Sequence, residues 1–189
     1  MSAPVRPRSV ARRIARLLST VVCLFCLLLV LAWAWQQPFL RTPRVLWELS
    51  NAPVPDSLPV PVEGVASGQV ADTFGAPRGS DRRHEGIDIF APRGTTVRST
   101  TRGVVTAVRE RGLGGRQVWI LGPGRERHYY AHLDDWVEGL AEGDVVDAGT
   151  PLGTVGNTGN ARTTPPHLHY GVYGRNGASD PLPRMRSTR

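Results

Sequence analysis

Two histidines stand one residue apart in PPHLHYGV, residues 165–172, and the chain holds only five histidines in all. On a β-strand side chains alternate between faces, so His167 and His169 point to one side ~6.6 Å apart while Leu168 points to the other. That spacing lets one imidazole ligate a metal while its neighbour reaches a substrate or a metal-bound water, and both rings need not be ligands. Taken alone, H-x-H also describes two titrating histidines on an exposed strand, which is the commoner case. The prolines at 165 and 166 disfavour helix and fix how the chain approaches the strand.

A second pair, His84 and Asp88 in RRHEGIDIF, raises a geometric problem. Gly86 and the β-branched Ile87 and Ile89 oppose a helix, which would bring positions four apart together. A straight strand keeps them on one face but ~13 Å apart, too far to share an ion. If they converge, the chain bends at Glu85-Gly86, and glycine is the residue that permits the bend. A third stretch, RHYYAHLDDW, places His128, Tyr130 and His132 on one strand face if pairing is regular. Periodicity does not choose between the two histidines.

The elements that must position these residues are legible in outline. Residues 17–35, LLSTVVCLFCLLLVLAWAW, carry no charge, and 19 residues at ~1.5 Å each span ~28 Å, close to a bilayer's ~30 Å hydrocarbon core. Residues 1–16 hold Arg6, Arg8, Arg12, Arg13 and Arg16, which orients the N-terminus to the cytoplasm and everything after residue 35 outward, to the periplasmic or extracellular side of a cytoplasmic membrane. A cleaved signal peptide is the competing reading, because Ala32-Trp33-Ala34 fits a small-x-small site, but the apolar run exceeds the usual ~7–15 residues and favours a single-pass signal anchor. Both cysteines, Cys23 and Cys26, lie inside this run, so the exported part can form no disulfide. Residues 36–64 are rich in proline and read as a linker, with 50–61 as a stiff polyproline II spacer and at most about one helical turn over 44–49.

From residue 65 to 180 the texture is short β-branched runs separated by Gly, Asn and Pro, with no apolar period of helical length, which predicts an all-β domain of antiparallel strands. Two segments in it, APRGTTVRSTTRGVV and DAGTPLGTVGNTG, share a turn-strand-turn rhythm suggestive of paired halves, as in a barrel-sandwich hybrid. Lipoyl and biotinyl carriers share that rhythm but attach their cofactor to lysine, and all 23 basic residues here are arginine. Those arginines are scattered and lack interleaved aromatics, so the charge of +7 does not point to nucleic acid. Residues 181–189 show no core pattern and read as a frayed tail.

Taken in order, H-x-G-x-D with Phe74-Gly75 and Arg83 before it, A-P-x-G-T, Tyr130-Ala131-His132-Leu133, a Gly-rich turn region and P-H-L-H closely resemble the lysostaphin-type (LytM-like) zinc metallopeptidases of bacterial cell walls, over roughly residues 70–173. The resemblance implies His84, Asp88 and His169 as ligands of a Zn2+ ion, with His132 and His167 as catalytic histidines beside it, and leaves His128 structural. Thr163-Thr164-Pro165-Pro166 departs from the family's usual Ser/Thr-Gly-Pro before H-x-H, at a loop that would border the substrate.

Two neutral imidazoles and one carboxylate leave zinc an open position for water, as in catalytic sites. The expected function is a membrane-anchored zinc endopeptidase that hydrolyses peptide cross-links of peptidoglycan by a zinc-activated water. The alternative is a wall-binding or hydrolase-activating module of the same fold. Glu85, next to a ligand, is expected to face away or orient His84, since no second histidine completes an H-E-x-x-H pattern. The sequence names no regulatory partner.

Overall fold

A computed structural model describes residues 8–79 and 81–187, in two compact units that divide between Arg44 and Val45. The first unit is built on helix α1 (Arg8–Trp35). Its stretch Val10–Trp35 is long and apolar enough, by length and composition, to cross a bilayer. Residues 1–7 of the expected basic segment lie outside the described residues, and the rest of that segment continues α1.

Helix α2 (Arg41–Asn51) runs for three turns where the sequence suggested one. Pro43 is tolerated in its first turn, where backbone N–H groups have no partner inside the helix. Val45 and Leu49, four apart, bury their shared face with Val104, flanked by Leu46 and Val145. Residues 50–61 are not a free spacer. In LPVPV, Leu58 and Val62 are buried in the main core and Val60 packs against it. The edge of this segment is bonded as well: Leu58 N–H donates to the Arg184 carbonyl (3.0 Å) and Arg98 N–H to the Pro61 carbonyl (2.8 Å). The prolines suit an edge because they have no N–H to leave unpaired.

Among the described residues the second unit carries eleven strands: β1 (Pro77–Arg78), β2 (Arg82–Arg83), β3 (Ile87–Phe90), β4 (Thr96–Arg98), β5 (Gly103–Glu110), β6 (Arg116–Leu121), β7 (Arg127–Trp136), β8 (Val145–Val146), β9 (Pro151–Val155), β10 (His167–Gly174) and β11 (Gly177–Ser179). Strands β1 and β2 form a separate two-stranded ribbon; the main sheet runs β11-β10-β7-β6-β5-β8, with β3 on β10 and β9 on β7. Every pairing is antiparallel. The two segments that share a rhythm in sequence pair with each other, as β4 against β9.

Alternation along β10 sorts the two faces. Leu168, Tyr170 and Val172 are fully buried in the core with Ile87, Tyr130, Ile120 and Leu133, while His167 and His169 face a groove. The expected tail is packed: helix α3 (Leu182–Arg186) buries Leu182 and Met185 in the same core. A five-residue helix with only two apolar side chains leaves too short a pattern for periodicity to detect.

His128 lies deep in this core, fully buried. Its Nδ1 meets the Tyr170 hydroxyl at 2.8 Å, and that hydroxyl meets Thr100 Oγ1, also at 2.8 Å. Among the described residues Nε2 finds no hydrogen-bond partner, and it lies 3.9 Å from a Glu126 oxygen. Burial, with the nearby Arg184 charge, pushes the imidazole down to about 3 from 6.5. The unfolded chain therefore takes up a proton that the fold refuses. Stability from this source is intact above pH 6.5 and is lost progressively as the pH falls toward about 3. His128→Asn keeps a polar group near Nδ1 without the titration, and should show a flatter loss of stability between pH 6.5 and 3 in denaturant melts; parallel curves for the two proteins would refute the assignment.

Candidate metal centre

Strand β3 lies antiparallel to β10 with Asp88 opposite His169. Opposed residues on neighbouring strands share a face, so the carboxylate and the imidazole meet on the groove side: His169 Nδ1 is 3.2 Å from Asp88 Oδ1. His84 arrives from the bend between β2 and β3, and its Nε2 lies 3.0 Å from the same oxygen and 2.9 Å from His169 Nδ1. The bend expected at residues 85–86 is present, but Gly86 serves a different purpose there from the one the sequence suggested. Its φ is not in the left-handed region; a Cβ would stand 2.6 Å from the Tyr170 carbonyl and 2.8 Å from the His169 ring. Glycine is required because the donor packs directly on the backbone.

Three of the histidines are set by main-chain carbonyls. Nδ1–H of His84 donates to Thr73 (2.7 Å), that of His132 to Thr158 (2.9 Å) and that of His167 to Pro165 (2.8 Å). Each ring's Nε2 is thereby left as the lone-pair nitrogen. Thr73 acts twice, since its Oγ1 also accepts from Asp88 N–H at 3.0 Å. Thr158 pins His132 and also ties loops together, its Oγ1 donating to the Leu133 carbonyl and accepting from Arg116 N–H, both at 2.9 Å. Sequence reasoning missed both threonines, because what they give the histidines is a carbonyl that any residue carries.

His132 reaches the groove through a break in regularity. Between Val118↔Tyr130 and Arg116↔Leu133 strand β7 has two residues where β6 has one, a bulge. His132 sits at φ 63°, a conformation that costs a non-glycine residue roughly 1–2 kcal/mol. The bulge undoes the regular pairing that would put His128, Tyr130 and His132 on one face: the first two point into the core and His132 does not. Its ring centroid is 5.1 Å from that of His167 and 5.9 Å from that of His169.

The groove has a volume of about 890 Å³, and all five singled-out residues line it, with Tyr129, Tyr173 and Phe90. Glu85 is exposed; the partner of His84 Nδ1 is Thr73, not this carboxylate. Burial opposes ionisation of Asp88, but the contacts of its Oδ1 with His169 and His84 outweigh it and hold the carboxyl well below its usual range. Burial, reinforced by the neighbouring His169 and His167, pushes His132 down to about 4. Burial likewise raises the Tyr129 phenol to about 12, so it stays a proton donor.

Among the described residues, His84, Asp88 and His169 form the one group of three or more donors suited to a metal. The three donor atoms stand 2.9, 3.0 and 3.2 Å apart. A tetrahedral zinc with bonds of ~2.0–2.2 Å needs its ligand atoms ~3.3–3.6 Å apart. The donor set and its spacing therefore fit a zinc ion after an opening of a few tenths of an ångström.

Residues 82–181 match Peptidase family M23, and the chain belongs to that family. It is 40% identical over 126 residues to the L-Ala--D-Glu endopeptidase of Bacillus subtilis, covering 61% of this chain and 39% of that protein. It is 34% identical over 110 residues to lysostaphin of Staphylococcus simulans, covering 55% of this chain and 22% of that one. The match thus spans well under half the length of these relatives. In three dimensions it resembles the lysostaphin catalytic domain of S. simulans, with a TM-score of 0.56, 29% identity, and coverage of 64% of this chain and 96% of that chain. A zinc-containing peptidase from Vibrio cholerae is similar at a TM-score of 0.56 and 29% identity, over 67% of this chain and 38% of that one.

Gly86→Ala tests the packing of His169. The added methyl should cost about 1–3 kcal/mol of stability and weaken zinc uptake in a chelator competition. Unchanged metal affinity would mean that His169 does not depend on this contact.

Proposed function

We propose that the chain is a membrane-anchored zinc endopeptidase that hydrolyses peptide cross-links of bacterial peptidoglycan. The observation that carries this reading is the convergence of three donor atoms within 3.2 Å of one another at a groove that His132 and His167 also line. Membership of a peptidase family and similarity to an L-Ala--D-Glu endopeptidase and to lysostaphin support wall peptides as the substrate class. The Arg-rich flank before an apolar helix supports an anchor in the cytoplasmic membrane with the peptidase unit on its outer side.

His84, Asp88 and His169 would hold the zinc. When bound, the ion supplies Lewis-acid polarisation of a scissile carbonyl and a lowered pKa for water. His132, kept neutral by burial and with Nδ1–H locked on Thr158, presents Nε2 as a proton acceptor. His167, locked on Pro165 in the same way, presents its own Nε2 3.9 Å from Asp88 Oδ1. Either ring is placed to take a proton from the nucleophile or to hand one to the departing amine. Tyr129 keeps its phenolic proton and packs edge-on against His169, with centroids 5.6 Å apart.

His169→Ala should lose both zinc and activity. His132→Ala should keep zinc and lower kcat by about 10²–10⁴. The measurements are metal content of the full chain in detergent and release of new peptide termini from purified sacculi. A zinc-loaded native chain that releases none would favour a wall-binding or hydrolase-activating module, and equal zinc loss in the two variants would contradict the division between ligand and catalyst.

A further inference from the structure

The two oxygens of the Asp88 carboxylate are divided between different partners. Oδ1 faces the histidines: His84 Nε2 at 3.0 Å, His169 Nδ1 at 3.2 Å and His167 Nε2 at 3.9 Å. Oδ2 accepts a hydrogen bond from the Arg78 guanidinium. Arg78 stands on β1, in the small ribbon with β2 that is separate from the main sheet, and it lines the same groove. Asp88 is buried, whereas the Arg78 side chain is 44% exposed.

A half-exposed ion pair adds little to stability, so the interest of this contact lies in what it does to the carboxylate. A carboxylate with both oxygens free can bind a cation through the two together, as calcium sites show. One whose second oxygen is already engaged by a guanidinium offers a single oxygen. Catalytic zinc needs three protein donors and one position left open; a second oxygen from Asp88 would crowd that position. We propose that Arg78 is a positioning residue: by holding Oδ2 it keeps Asp88 a one-oxygen donor and keeps the fourth position of the centre free. This role rests on the zinc-site reading given above.

The test uses the full chain in detergent, stripped of metal and loaded with cobalt(II). Cobalt's visible absorption is strong in four-coordinate sites and weak in five- or six-coordinate ones. The native chain should show the strong band. Arg78→Met should weaken it and lower kcat/KM on sacculi about tenfold or more, while the melting temperature of the metal-free protein moves by no more than about 2 °C. Arg78→Lys, which keeps the charge but loses the planar fork, should fall between them. A full four-coordinate band in the Met variant overturns the proposal whatever happens to activity, and if that variant does not fold, a native band in the Lys variant does so. A native chain that takes up no more cobalt than His169→Ala would sink the metal-site reading itself, and the role of Arg78 with it.

Discussion

Everything at this site depends on one strand register, β3 against β10 with Asp88 opposite His169. Side chains repeat every two residues along a strand, so a slip by one would turn Asp88 and His169 from the same face to opposite ones. The register is held from the other side of the sheet. Ile87, Ile89, Leu168 and Tyr170 are all buried at 1% exposure or less, and the same slip would take that apolar set out of the core. Burying such side chains is worth ~1.5–3 kcal/mol each. The hydrophobic core thus enforces the meeting of polar groups that would not hold a register by themselves.

The polar groups below and above the sheet are treated differently. Below it, Thr100, Tyr130, Tyr170 and His128 bond one another in the core, where burial pushes the phenols up and the imidazole down, so all stay uncharged. Above it, a carboxylate stays ionised although buried, because His169 and His84 close on one oxygen and Arg78 donates to the other. A buried charge is tolerable only when its partners replace the water it lost. That requirement ties β1, the bend before β3, and β10 into one polar cluster.

Main-chain oxygens do much of the orienting. Carbonyls of Thr73, Thr158 and Pro165 hold three imidazoles in one tautomer, and the bulge in β7 turns one of the three, His132, toward the groove. The strain at His132 is carried by its surroundings: Thr158 is wedged where Gly115 and Gly159 bring two loops too close for any Cβ. Loop packing of this kind explains why the position can hold a histidine at a positive φ.

The sequence by itself determined the apolar N-terminal helix, the antiparallel β character of the second unit, the alternation that sends His167 and His169 to one side and Leu168 to the other, and, through its motifs, the family. Each of these is local, or is written in residue types. Tertiary structure alone decided that residues 45–51 of α2, the LPVPV stretch and α3 belong to the packed unit, because two or three apolar residues per segment form no period until a core is there to receive them. It alone decided that Gly86 is needed for the approach of His169, that His132 leaves the face of His128, and that Arg78 takes the free oxygen of Asp88. These are contacts between chain segments distant in sequence or matters of backbone path, and neither is encoded in the identity of any single residue.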